Sequence, residues 1–214
     1  MIFHNKHTRK RIMSMKRMIA ALAILIVGIL TVGFASPATA VPARNVECNG
    51  TLLAGTFRNV TVPEGASCTI GPDVTILGNF RATKSPGVIA VNTNIGRNFM
   101  VAGATGSVRF GPDTCLVDPR VGNNLKIRDS NNVAVCEAYV ENNLSVTGST
   151  GRVMVRDNVV CNNLRVVRND VLGLRVLRNR FVVNLDTEPN TVQNQTVVRD
   201  NVDLDGSPQD CRRG

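Results

Sequence analysis

An apolar residue followed by Arg and then by Asp or Asn recurs in the second half of the chain, and it carries side chains suited to ligand binding. Its copies are Arg128-Asp129, Arg156-Asp157, Arg168-Asn169, Arg178-Asn179 and Arg199-Asp200. A guanidinium group binds a carboxylate or phosphate through two parallel hydrogen bonds. Arg156, Arg178 and Arg199 are each about one repeat apart, so they are expected to line one edge of the protein. With Asp157 and Asp200 beside them, this Arg–Asp row could bind an acidic polysaccharide or another wall polymer.

The Arg–Asp row also has a purely structural interpretation. Alternating Arg and Asp side chains neutralise one another and keep the surface hydrated. Exposed ion pairs of this kind contribute little energy or specificity. The residue types therefore favour a self-neutralising surface over a binding site.

Asp157 and Asp200 are also the carboxylates that a polysaccharide-active enzyme would use. Hydrolases need paired carboxylates, and lyases need a base beside an Arg or a metal that neutralises the substrate. The chain lacks the long loops that usually enclose a substrate, and it has no Trp and one Tyr for stacking on sugars. A lyase or hydrolase is the alternative function, and no residue is assigned a catalytic role.

The first 40 residues have the three parts of a secretory signal peptide. A basic stretch at residues 6–17 precedes an uncharged apolar run at residues 18–35, and Ala38-Thr39-Ala40 supplies small residues for cleavage. The alternative is an uncleaved membrane anchor, because the run is near the lower length limit for a span. We expect cleavage, with residues 1–40 as the signal peptide and residues 41–214 as the mature domain, secreted or held at the cell surface.

Removal of the signal changes the charge and the available chemistry. The signal contains six of the 25 Lys and Arg residues, which leaves 19 against 16 acidic residues, a formal charge of +3. Because Arg is interspersed with Asp and Asn, nucleic acid is not an expected partner. The mature chain has no histidine, since His4 and His7 lie in the signal. We therefore expect no His-based catalysis, no metal and no cofactor.

The elements that must position these side chains follow from a repeat. An Asn followed by alternating apolar residues returns about every 20 residues, at Asn59, Asn79, Asn98, Asn124, Asn143, Asn163 and Asn184, with the first and last copies weaker. A period of this length built from strand-like pieces is typical of a solenoid. The residue after each Asn is expected to face inward. The asparagines are expected to stack in a turn, where each amide can both donate and accept.

One coil can be followed from Asn143 onward. Leu144 and Val146 alternate in a first short strand, residues 153–155 form a second and residues 159–160 a third, with Gly and polar residues between them. Three short strands per turn describe one coil of a parallel β-helix. The sequence therefore predicts an all-β, single-stranded parallel β-helix, or β-solenoid, with about 20–21 residues per coil and roughly eight coils.

Six cysteines lie in the mature part, and export would place them in an oxidising compartment that favours disulfides. They are Cys48, Cys68, Cys115, Cys136, Cys161 and Cys211. Cys48 and Cys68 each lie eleven residues before a repeat Asn, so they should stack about 4.8 Å apart, within disulfide reach. Cys115 and Cys136 are about one period apart, although the lengthened coil blurs the register there. Cys161 and Cys211 pair by elimination.

These units resemble a group of small secreted parallel β-helix proteins of actinobacteria in which Gly-Asn-Leu-x-Val units recur and cysteines tie the ends. The matching units are Gly78-Asn79-Phe80, Asn123-Asn124-Leu125-Lys126-Ile127, Asn162-Asn163-Leu164-Arg165-Val166 and the closing Cys211. The resemblance implies the fold and export. It implies no established activity and brings no catalytic residue.

Together these features predict an exported, non-catalytic structural or binding protein, a rigid disulfide-tied solenoid at the cell surface or outside the cell. Its expected partners are a cell-wall or acidic polysaccharide and other copies of the chain, because a stack has sheet edges at both ends. A membrane is expected to be contacted only through the export signal.

Overall fold

The computed structural model describes residues 42–112, 119–206 and 211, which form a parallel β-helix. In this part of the chain three faces of short strands repeat around one apolar interior. The predicted all-β solenoid is confirmed. The predicted signal peptide, residues 1–40, lies outside the described residues.

The first face carries the repeat asparagines. Its strands, numbered in chain order together with those of the other faces, are β1 (Asn45–Glu47), β3 (Asn59–Val62), β5 (Phe80–Thr83), β8 (Phe99–Ala102), β11 (Leu125–Arg128), β14 (Leu144–Thr147), β17 (Asn163–Val167) and β20 (Asn184–Asp186). They pair in this order in one parallel sheet. The described residues therefore form eight levels joined by seven steps, and the predicted eight coils correspond to the levels.

The second face carries the longest strands. They are β2 (Gly50–Phe57), β4 (Cys68–Ile76), β6 (Val88–Ala90), β9 (Val108–Phe110), β12 (Asn131–Cys136), β15 (Thr150–Arg156), β18 (Asp170–Leu177) and β21 (Thr191–Arg199).

The third face consists of two-residue strands. They are β7 (Asn94–Ile95), β10 (Arg120–Val121), β13 (Tyr139–Val140), β16 (Val159–Val160), β19 (Arg180–Phe181) and β22 (Val202–Asp203). Strand β4 pairs with β6 through its first residues and with β7 through its last. The second and third faces are therefore one hydrogen-bonded sheet that bends at a corner.

The core consists of columns of apolar side chains that stack from coil to coil. One column follows the repeat asparagines and contains Val60, Phe80, Phe99, Leu125, Leu144 and Leu164. All six are at most 1 % exposed. The rings of Phe80 and Phe99 stack with centroids 4.8 Å apart and planes 10° apart. In-register parallel pairing places equivalent positions directly above one another, so a repeated residue type becomes a continuous column.

The lengthened coil keeps the register of the stack. Phe99 pairs with Leu125, although Asn98 and Asn124 are 26 residues apart and the next repeat asparagines are 19 apart. In the sequence the extra residues fall between β9, on the second face, and β10, on the third face. An insertion between strands leaves the strands on either side free to pair.

Two disulfides are present, the Cys48–Cys68 pair expected from the spacing and the Cys161–Cys211 pair expected by elimination. Cys48 and Cys68 have Cα atoms 5.6 Å apart, and Cys161 and Cys211 have Cα atoms 5.5 Å apart and close a segment of 50 residues. Cys136 is buried and forms no disulfide with a described cysteine. Burial raises the pKa of its thiol. Its predicted partner Cys115 lies outside the described residues, so that pair stays a prediction.

Replacing Leu144 by Ala should lower the free energy of unfolding by about 2–5 kcal/mol, because it opens a cavity in a fully buried column. Urea unfolding followed by circular dichroism measures the change. Ser145→Ala, one residue along the same strand and facing outward, is the matched control and should change the value by less than about 0.5 kcal/mol. Equal losses in the two variants would contradict the stacked core.

Candidate functional site

The predicted Arg–Asp row lies at the corner between the second and third faces. Four successive coils turn there through a residue in the left-handed conformation, with φ values of 54° at Glu137, 57° at Asp157, 51° at Arg178 and 56° at Asp200. Strands β15, β18 and β21 end immediately before these turns. The row is therefore positioned by main-chain turns that are equivalent in successive coils.

The register divides the row into two columns. Arg156 pairs with Leu177, and Leu177 pairs with Arg199, so Arg178 lies one position further along the chain. The prediction that Arg156, Arg178 and Arg199 form one line is therefore wrong. The spacing from Arg156 to Arg178 is 22 residues, whereas β15 and β18 pair with an offset of 21. A difference of one residue is enough to move a side chain to another column.

Arg178 consequently lies in the column of the acidic residues, between Asp157 and Asp200. Its Nε and Nη2 atoms donate to Oδ1 and Oδ2 of Asp157, each at 2.7 Å. The Nη1 atom of Arg156 lies 3.6 Å from the same carboxylate, and Nε of Arg199 lies 3.5 Å from Oδ2 of Asp200. The hydrogen bond and charge of Asp157 raise the pKa of Arg178. Both nominated carboxylates are thus paired with Arg, which matches the structural interpretation of the row.

The other two copies of the motif lie at a different corner. Asp129 and Arg168, with φ values of 49° and 57°, occupy the turn between the first and second faces. Arg128-Asp129 and Arg168-Asn169 are therefore separated from the Arg–Asp row by the full width of the second face. The motif describes two turns of similar chemistry and not one surface.

A column of buried asparagines lies directly behind the Arg–Asp row, and the motif assignment missed it. Asn158 and Asn179 are fully buried, and Asn201 continues the column. The Nδ2 atoms of Asn158 and Asn179 each donate to Oδ1 of the Asn in the next coil, at 2.8 and 2.9 Å. Each Nδ2 atom also donates to a main-chain carbonyl of the preceding coil. The sequence signal is an Asn one residue after the left-handed Asp157, Arg178 and Asp200. Asn179 therefore corresponds to Asn158, whereas the motif had aligned it with Asp157.

The repeat asparagines form a second ladder along the first face. In each step Nδ2 donates to Oδ1 of the Asn one coil earlier, at distances between 2.8 and 3.4 Å. The ladder contains the predicted Asn79, Asn98, Asn124, Asn143, Asn163 and Asn184, and it extends through Asn59 to Asn45. Because these amides satisfy one another and the turn backbone, their role here is structural.

Two further features bear on the kind of site. Within the described ranges, no three His, Cys, Asp or Glu side chains come together in a group able to hold a metal ion. The same residues contain no helix long and apolar enough to cross a bilayer.

The second face carries a groove that the sequence did not indicate. It has a volume of about 640 Å³ and is lined by residues of β9, β12, β15, β18 and β21, so it crosses five consecutive levels along the solenoid axis. Three arginines line it: Arg109, Arg152 and Arg175. Among the described residues no Asp or Glu lines it. We call it the arginine groove.

Irregular strand pairing builds one wall of the arginine groove. The register shifts between β12 and β15, where Asn132 faces two residues, and again between β18 and β21, where Leu172 faces two. Asn132 and Leu172 both line the groove. At Gly151, with φ 71°, a Cβ atom would lie 2.1 Å from Oδ1 of Asn131, so the wall needs a glycine there. Asn132 Oδ1 accepts a hydrogen bond from the main-chain N–H of Arg152 at 3.1 Å.

The middle of the arginine groove is apolar. Ala134 and Met154 lie there in one column with Arg109 and Arg175, and Gly173 lies beside them. At the β21 end of the groove the polar groups are side-chain amides. Nη2 of Arg175 donates to Oε1 of Gln195 there at 3.4 Å. The groove therefore combines guanidinium groups, neutral amides and an apolar strip.

No protein-family model, curated protein or solved structure matches the chain.

Replacing Asn179 by Ala should lower the free energy of unfolding by about 1–3 kcal/mol, because the main-chain N–H and Nδ2 of buried Asn158 lose their acceptor. Chemical unfolding measures the change. Arg180→Ala, the exposed neighbour on β19, is the control and should change it by less than about 0.5 kcal/mol. A neutral Asn179→Ala would show that the buried ladder does not stabilise the stack.

Proposed function

We propose that the chain is an exported, non-catalytic protein of the cell surface or the extracellular space, whose rigid solenoid presents a surface that binds an acidic polymer. The observation that carries the proposal is the pair of disulfides. One joins two coils at the N-terminal end, and the other ties Cys211 back to β16 and its neighbours through Cys161. Such bonds form and persist in oxidising compartments outside the cytosol.

The first 40 residues support the same conclusion independently. Their basic stretch, apolar run and small-residue cleavage site are the parts of an export signal. The targeting segment and the disulfides are independent features, and both indicate a compartment outside the cytosol. The resemblance to secreted actinobacterial β-helix proteins stays a prediction.

The architecture favours binding through a long, fixed surface. Each coil contacts its neighbours in the stack, and two asparagine ladders and two disulfides hold the coils in register. Side chains at equivalent positions are therefore presented at regular intervals of about 4.8 Å. A surface of this kind fits a ligand that is itself extended and repetitive, such as a wall or matrix polymer.

Expression of the full chain in a bacterial host should deliver protein to the medium or the cell surface. Intact mass should place the new N-terminus at Val41, and Cys48, Cys68, Cys161 and Cys211 should resist alkylation unless a reductant is added. Arg substitutions at Leu25 and Leu30 interrupt the apolar run and provide the control that stays inside. Uncleaved, reduced protein in the cytosol would contradict the proposal.

The oxidised mature protein should pellet with purified cell walls or with an insoluble acidic polysaccharide. Its attraction to carboxylates should weaken as salt is raised, because exposed charges are screened. The measurement is the pelleted fraction against salt, with protein alone and a neutral polysaccharide as controls. Protein that stays in the supernatant with every acidic polymer would rule out the binding part of the proposal, and pelleting of protein alone would indicate self-association instead.

A further inference from the structure

We propose that the arginine groove is a binding site for an extended polysaccharide that carries carboxylate groups, with the chain of sugars lying along the solenoid axis. The inference rests on the proposed extracellular binding function, and it names the site and the ligand class. It also moves the binding surface from the Arg–Asp row to the second face.

Charge separates the two surfaces. In the Arg–Asp row each Asp lies beside a guanidinium, and Asp157 accepts two hydrogen bonds from Arg178. In the groove no carboxylate is present among the described lining residues. Arg152 and Arg175 form no ion pair with a described residue. A surface with uncompensated guanidinium groups attracts a polyanion, whereas a neutralised one does not.

The dimensions fit an extended chain. The lining strands β9 to β21 are five successive levels, and four steps of about 4.8 Å give a length of about 19 Å. Arg152 and Arg175 lie on neighbouring levels, in β15 and β18, and the lining continues beyond them at both ends. A compact anion would occupy only part of this length, so the groove favours a polymer over a single anion.

The rest of the lining fits sugars better than other polyanions. A pyranose ring has an apolar face of C–H groups and a rim of hydroxyls. Met154 and Leu172, which is 44 % exposed, provide apolar contact. Asn132, Asn194 and Gln195 provide amides that both donate and accept hydrogen bonds, which suits hydroxyl groups. Single-stranded nucleic acid binds through aromatic stacking, and no aromatic residue lines the described groove.

The test compares two double variants that remove the same charge. Arg152→Gln with Arg175→Gln alters the groove, and Arg81→Gln with Arg180→Gln alters exposed arginines on the other two faces. Binding of the oxidised mature protein to polygalacturonate is measured by calorimetry at low salt. The groove variant should bind about tenfold or more weakly, because charge-assisted bonds are lost. The control should bind nearly as the unaltered protein does.

Unchanged thermal unfolding of both variants shows that any loss is local, since the substituted side chains of Arg152 and Arg175 are exposed. Equal weakening in the two variants would overturn the inference and indicate attraction by net charge alone. Full binding by the groove variant would also overturn it, while leaving the proposed function intact. Failure of the unaltered protein to bind any acidic polymer is the separate outcome that refutes the proposed function.

Two further ligands test the chemistry. Methyl-esterified polygalacturonate keeps the sugars and loses the charge, and it should bind much more weakly than the acid form. Inorganic polyphosphate has a dense charge but no apolar faces and no hydroxyls. Its binding should therefore not depend on the groove amides or on Met154. Tight binding of polyphosphate with none of polygalacturonate would show that the groove is not a sugar site.

Discussion

In-register parallel stacking is the constraint on which every other feature of this protein depends. A single coil has three short strands and too little apolar surface to fold alone, so its inward residues are covered only when the next coil lies directly above. Parallel pairing fixes that position to the residue. The columns through Phe80, Phe99 and Leu125, the two asparagine ladders and the Cys48–Cys68 disulfide are consequences of the same alignment.

The stacking also leaves main-chain polar groups at the corners without partners in a sheet, and asparagine side chains bond to them. Strands pair along the faces, but the main chain must turn at each corner, where its N–H and C=O groups are not paired within a sheet. Left-handed residues at the corners make the turns compact, and where an Asn follows, as at Asn158, Asn169 and Asn179, its amide is buried inside the stack. These three buried amides are tolerated because each bonds to the Asn of the next coil. The last coil departs from this pattern at Asp203, which lies above buried Phe181 and gives the stack a polar end.

The two arginine-rich surfaces show how one side-chain type serves different ends. At the corner, the left-handed position brings Arg178 between two carboxylates, and both carboxylates are paired with Arg. On the second face, where strand pairing is irregular at two places, Arg152 and Arg175 form no ion pair with a described residue. Whether an Arg is a structural ion pair or a ligand contact is therefore decided by which column it occupies.

The sequence by itself determined the fold class, the period and the pairing of Cys48 with Cys68, because a repeat in a solenoid states directly which residues are equivalent. It also identified the ladder from Asn79 to Asn184 and the inward column beside it. It misaligned the Arg–Asp row, because the period varies between 19 and 26 residues and one residue of slip moves a side chain to another column. Only the tertiary structure decided the arginine groove, whose arginines come from three coils: Arg109 and Arg175 share one column, and Arg152 stands two residues before Met154 of that column. The strand pairing that brings them together includes local register shifts, and these leave no periodic trace in the sequence.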